Sequence, residues 1–171
     1  MIERALSDCG ITLPKAELDH LYAEYLRHYE THIVGHSRSF LGLEAGLDTL
    51  STRGWRFAIC TNKLERLSVL LLDRLGLKHR FVAICGQDTF HAQKPDPNML
   101  RQTIARAGGN ICRAVMVGDT ATDIDMARAA TVPVVAVDFG YSEMPVSQLG
   151  PDRIISRYDE LPAAIFDLIA L

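Results

Sequence analysis

Asp119 and Asp123 stand four residues apart in Ala114-Val115-Met116-Val117-Gly118-Asp119-Thr120-Ala121-Thr122-Asp123, directly behind an apolar run. If the run is a strand and the next residues open a helix, Asp119 sits at the strand's carboxyl end and Asp123 lies one helical turn later. Both carboxylates then face one pocket at a helix N-terminus. Oxygen ligands of that kind suit Mg²⁺, which takes one or two protein carboxylates and fills its remaining positions with water and substrate phosphate. A capping box, with Thr120 as cap and Asp123 three residues on, accounts for Asp123 as well. It gives no reason for an acid at the strand end, so Asp119 carries the metal reading.

Two further places share this character. Phe57-Ala58-Ile59-Cys60-Thr61-Asn62-Lys63 leads an apolar strand straight to a hydroxyl, an amide and an ammonium. A hydroxyl beside free backbone N–H groups at a helix start suits an anionic oxygen, and Thr61 serves equally as an N-cap of the helix behind it. Gln93-Lys94-Pro95-Asp96-Pro97 holds a lysine between rigid prolines. A cation in a stiff loop can offset crowded negative charge, although most surface lysines do nothing specific.

Other polar groupings have plainer readings. His20, Glu24, His28, His32 and His36 recur every four residues. That step drifts around a 3.6-residue helix, so they form a solvated stripe and cannot all converge on a metal, with His28 and His32 the one pair able to bind a transition metal adventitiously. Asp88 and His91 precede Lys94 and read as surface loop residues able to border a pocket.

These residues need a scaffold. From Lys15 to about Ile33, Leu18, Leu21, Tyr22, Tyr25, Leu26 and Tyr29 follow the i, i+3, i+4, i+7 spacing of an amphipathic helix. Residues 35–42 read as a connection. Beyond it, strands expected at Phe57 to Cys60, Phe81 to Cys85, Ala114 to Val117, Val134 to Val137 and Arg153 to Ile155 alternate with helices. The helices are expected near Leu43 to Leu50, at Leu64 to Leu75, from Asp96-Pro97 to Gly108, at Asp123 to Ala130 and at Leu161 to Leu168. Alternation of this kind predicts an α/β fold, a parallel sheet covered by helices on both faces. Such sheets place ligands at the carboxyl ends of their strands, which is where Thr61, Lys94 and Asp119 fall.

Composition narrows the function classes. The chain has 171 residues, 48% of them hydrophobic, and a net charge of −3 from 18 basic and 21 acidic residues without long runs of either sign. No basic stripe is available for nucleic acid. The apolar runs are too short to span a bilayer, and Met1-Ile2-Glu3-Arg4 does not open a signal peptide. Four scattered cysteines without a CxxC pair favour reduced thiols and a cytoplasmic location.

Thr61, Lys94 and Gly118-Asp119-Thr120-Ala121-Thr122-Asp123, in this order, resemble the second, third and fourth motifs of the haloacid dehalogenase superfamily. Cys60-Thr61-Asn62-Lys63, Gly86-Gln87-Asp88-Thr89-Phe90, Lys94-Pro95-Asp96-Pro97 and Val137-Asp138-Phe139-Gly140-Tyr141 look particularly like bacterial phosphoglycolate phosphatases. The resemblance runs from about Phe40 to the end. It implies a Rossmann-like core over residues 38–171, with residues 1–37 as part of a small helical cap. It also implies Mg²⁺-dependent hydrolysis of a small phosphorylated metabolite, with 2-phosphoglycolate the first choice, through a phospho-aspartyl intermediate. By the same carry-over Thr61 and Asn62 hold phosphoryl oxygens and Lys94 offsets charge. Asp119 binds the metal, and Asp123 supports the metal shell or Lys94.

One part of the family pattern has no counterpart. The first motif, an apolar strand ending in DxDGT that supplies the nucleophile, is absent, and the single Asp-x-Asp is Asp123-Ile124-Asp125 in the fourth motif. The resemblance therefore predicts a central gap between the strands ending at Thr61 and Asp119, Met1 as an internal methionine of a longer reading frame, and little turnover by these residues alone. Thr131 stands where the family usually has Gly. The alternatives are an inactive fragment or a non-enzymatic phosphate- or metal-binding module; a phosphoacceptor receiver domain would place its acids before its Thr and Lys.

Overall fold

Pro14 fixes the backbone in front of Lys15, and the helix predicted there forms as α2 (Lys15–Thr31), preceded by α1 (Ile2–Asp8), which sequence reasoning did not anticipate. In the computed structural model, residues 2–35 and 37–169 are described, and they fall into two units, Met1–Ser37 and Arg38–Leu171. No residue of α2 is buried, and Leu21, Tyr22 and Tyr25 of its apolar stripe are exposed. His28 and His32 stack on one another, and His32 Nδ1 donates to the His28 carbonyl. His20 pairs with Glu24, and His36 lies outside the described residues.

The second unit contains the predicted strands. β1 (Phe57–Cys60) pairs in parallel with β2 (Phe81–Cys85). A separate parallel sheet has the order β3 (Met116–Gly118), β4 (Val134–Val137), β5 (Arg153–Ile155). The helices are α3 (Leu43–Ser51), α4 (Glu65–Arg74), α5 (Pro97–Arg106), α6 (Ala121–Ala130) and α7 (Leu161–Ile169). The two-residue period of a strand explains their placement. Val134 and Ala136 of β4 enter one apolar cluster with Met99 of α5 and Ile124 of α6, whereas Val135 and Val137 enter another with Leu50 of α3 and Ile165 of α7. Helices thus cover both faces, as the alternating pattern requires.

Two boundaries differ from expectation. The strand predicted from Ala114 begins at Met116, because the ladder starts where Met116 N–H donates to the Pro133 carbonyl and Met116 pairs with Val134. Helix α6 begins at Ala121 instead of Asp123, since the Asp123 side chain folds back onto Thr120 and draws two more residues into the first turn. At its other end Thr131 adopts φ 60°, ψ 39°, a left-handed conformation that strains a β-branched residue.

The predicted central gap is present. β1 is as apolar as β4, yet all four of its residues are only partly buried, while all four of β4 are buried. The reason is that, among the described residues, β1 has a strand neighbour on one side only, as does β3. Between them lies a cavity of about 740 Å³, whose walls include Leu50, Trp55, Phe57, Ile59, Val115 and Val117. No helix among the described residues is long and apolar enough to cross a membrane.

Candidate active site

The strand ends meet at Lys94. Its ammonium lies 2.6 Å from Asp123 Oδ1, and the two side chains are 13% and 4% exposed. An ammonium has three donors, so two remain for an anion in front of it. Asp123 is fully engaged: Oδ2 accepts from the Thr120 hydroxyl at 2.7 Å, the Thr120 N–H at 3.2 Å and the Asp119 N–H at 3.3 Å. Gly118 makes this possible, because a Cβ there would lie 2.6 Å from Asp123 Cγ.

Asn62 fixes the lysine from the β1 side. Its Oδ1 accepts from the Lys94 N–H at 2.8 Å, and its Nδ2 donates to the Lys94 carbonyl at 3.1 Å. The Lys94–Pro95 peptide is cis, and Asp96 caps α5 by accepting from Asn98 N–H. Thr61 does not cap α4, which starts at Glu65 behind Leu64; its Oγ1 accepts from Lys63 N–H at 3.2 Å, closing a tight turn after β1. The start of α4 is held instead by Asp88, whose Oδ1 accepts from Glu65 N–H at 2.7 Å. Asp88 is thereby committed to structure, and His91 is an exposed loop residue.

Asp119 stands at the end of β3. Tyr141 N–H donates to its Oδ2 at 2.7 Å, and its Oδ1 has no hydrogen-bond partner among the described residues. Gly140 leaves the room: a Cβ there would lie 2.5 Å from Asp119 Oδ2. Tyr158 completes an aromatic cluster with Phe40 and Phe139, with ring centroids 5.1 to 6.0 Å apart. Burial, followed by the field of Asp119, pushes the Tyr158 hydroxyl up from its ordinary pKa. Sequence reasoning missed Gly140, Tyr141 and Tyr158 as site residues. The first two lie in the Val137–Tyr141 stretch already singled out for its family likeness.

The donor set fits Mg²⁺ in a limited way. No cluster of three or more His, Cys, Asp or Glu side chains suited to a metal occurs among the described residues. Mg²⁺ does not need one, because it retains waters and shares substrate phosphate oxygens with one or two carboxylates. Asp119 offers an oriented carboxylate with one open oxygen, and Asp123 has both oxygens occupied.

Residues 5–137 match the family model of the haloacid dehalogenase-like hydrolases. The chain belongs to this family. It is 48% identical to a phosphoglycolate phosphatase of Mesorhizobium japonicum over 94% of this chain and 71% of that protein. A phosphoglycolate phosphatase of Agrobacterium fabrum is 43% identical over 98% of this chain and 72% of its own length. Among solved structures, a protein described as a predicted phosphoglycolate phosphatase from Haemophilus somnus 129pt superposes with a TM-score of 0.86 at 24% identity, covering 93% of this chain and 71% of that one. The α/β architecture with parallel strands between helices matches that solved structure, and the Mesorhizobium and Agrobacterium relatives are both named as phosphatases.

Proposed function

We propose that the chain carries the phosphate- and metal-binding part of a Mg²⁺-dependent phosphomonoesterase acting on 2-phosphoglycolate. The observation that carries this reading is Lys94, clasped by Asn62 behind β1 and paired with Asp123 in the first turn of α6 behind β3, so that residues following both strands are tied to one ammonium. The relatives' names supply the substrate, and a small phosphorylated metabolite matches a site with one lysine and one short hydroxyl.

Each residue has a distinct part. Lys94 binds two phosphoryl oxygens through its unused N–H donors, and Thr61, whose Oγ1 accepts from the Lys63 amide, adds its O–H as a donor. Asn62 positions Lys94, and any direct phosphate contact is secondary to that clasp. Asp123 serves Lys94 and the first turn of α6, leaving Asp119 as the protein ligand of Mg²⁺. When bound, the metal supplies charge that offsets the phosphate and the developing leaving-group oxygen. Covalent hydrolysis requires an attacking carboxylate besides these residues, because Asp119 and Asp123 are already committed. Four free thiols support a reducing, cytoplasmic setting.

The test is phosphate release from 2-phosphoglycolate with Mg²⁺, comparing the 171-residue chain with a form extended upstream through any in-frame DxDGT segment. Activity in the longer form alone, abolished by Asp119→Asn, is expected. Inactivity of both forms overturns the reading. Turnover by the short form would require another residue to attack.

A further inference from the structure

We propose that Cys60 and Cys85 form a dithiol site for one copper(I) ion, with the thioether of Met126 beside it. The site lies across the β1–β2 ladder and uses neither Lys94 nor Asp119 as a ligand, so it does not depend on the phosphomonoesterase reading.

Three observations carry it. Cys60 and Cys85 stand directly opposite one another in the parallel ladder of β1 and β2, so their side chains leave the same face of the sheet. On that face both thiols hydrogen-bond with the side chain of Thr103 on α5. From α6, Met126 Sδ lies 4.0 Å from Cys60 Sγ. The surroundings are rich in sulfur as well. Cys85, Met99, Met116 and Met126 are buried in one cluster and Cys60 packs against it. The atoms on offer to a metal there are therefore soft sulfurs, not oxygens or ring nitrogens.

Strand spacing decides what the two thiols can hold. Neighbouring strands lie about 4.7–4.9 Å apart, and the ladder is fixed at this point by the Thr61 N–H donating to the Cys85 carbonyl. A disulfide needs its β-carbons about 3.8 Å apart, so it would pull the ladder together. A metal–thiolate bond is about 2.3 Å, and two in line span about 4.6 Å, which bridges the strands as they stand.

The ligand set then selects the ion. Zinc requires four N, O or S ligands, and no cluster of three or more His, Cys, Asp or Glu suited to a metal occurs among the described residues. Thiolates beside a thioether suit copper(I), a d¹⁰ ion without that requirement. Binding exchanges two S–H protons for one Cu⁺, leaving a bis-thiolate of net charge −1 and transferring no electrons. Burial pushes both thiols up, while Thr103 at each of them and the Lys94 ammonium near Cys60 pull them back toward the thiolate.

The test is an anaerobic titration of copper(I), with bicinchoninate as competitor, into the 171-residue chain carrying Cys9→Ser and Cys112→Ser, which removes the two exposed thiols. One copper per chain, release of two protons and a thiolate-to-copper absorption band are expected. Loss of an outer metal partner costs about 10–100-fold in affinity, so Met126→Leu should weaken binding by about tenfold, and Cys60→Ser or Cys85→Ser by more than about 100-fold. A chain that leaves all the copper with bicinchoninate overturns the proposal, as does uptake that survives Cys85→Ser. Unchanged affinity in Met126→Leu overturns the part given to the thioether. Copper-edge X-ray absorption on the loaded chain decides the matter even where a cysteine variant fails to fold: a shell of sulfur alone is expected, and nitrogen or oxygen ligands overturn the site.

Discussion

Lys94→Met keeps the length of the side chain while removing its charge, and it should destabilise the second unit by about 3 kcal/mol. Asp123 is 4% exposed at its side chain, so its carboxylate has no route to water once the ammonium 2.6 Å away is gone. Breaking a buried pair from one side costs about 3–5 kcal/mol. The lower figure applies here because Oδ2 keeps its donors from Thr120 and Asp119. Asp123→Asn should cost less, about 1–2 kcal/mol, since the Lys94 side chain is 13% exposed and its flexible stem can turn the ammonium outward. In the double variant the lone charges vanish together. Its cost should fall short of the sum of the singles by about 1–2 kcal/mol. Urea unfolding followed through Trp55 fluorescence measures all three variants. Additive losses, or a Lys94→Met chain as stable as the parent, would refute the view that this pair is a desolvated unit.

Four further outcomes follow from particular contacts. Gly140→Ala should lower Mg²⁺ affinity by about 10–100-fold in a metal titration, because its Cβ would displace the Asp119 carboxylate and break the Tyr141 bond. Thr131→Gly should stabilise the chain by about 0.5–1 kcal/mol: release of left-handed strain of about 1–2 kcal/mol outweighs the entropy glycine adds to the unfolded state. With a thiol reagent at neutral pH, exposed Cys9 and Cys112 should react quickly and buried Cys85 slowly. Burial pushes Cys60 and Cys85 up, so the unfolded chain ionises first; stability should hold below the ordinary thiol range near pH 8.5 and fall as pH rises past it, and Cys85→Ala should blunt that fall.

The legible parts of this chain were the local ones. Phe57–Cys60 and Phe81–Cys85 are apolar runs bounded by polar residues, and they became strands at the residues expected. Asp96-Pro97 announced α5 because N-cap and N1 chemistry act within one turn. The start of β3 was misplaced by two residues because pairing with Pro133 and Val134, not its own composition, decides where the ladder begins. The same limit hid half of the site. Asn62 and Lys94 are joined across 32 residues, and Asp119 and Tyr141 across 22, and no spacing rule reports a contact between two loops. Conversely, the stripe on α2 was read correctly as helical, but helical period alone does not say what a face meets, and no residue of α2 is buried.

The gap between β1 and β3 sets a thermodynamic condition on everything built around it. A cavity of 740 Å³ that stayed closed and dry would cost about 18 kcal/mol at ~24 cal/mol per Å³. That exceeds the whole stability of an ordinary domain, about 5–15 kcal/mol. The slot is open and not an enclosed void, so it is wet or filled. Water in the slot leaves the apolar side chains of β1 and Val115 hydrated, forfeiting burial worth about 25 cal/mol per Å². Asn62 behind β1 and Asp123 behind β3 are tied through Lys94 at 2.8 and 2.6 Å, which sets the spacing of the two strand ends. The Lys94–Asp123 pair and the open centre of the sheet are thus linked, because the residues that flank the slot are the ones that hold the pair.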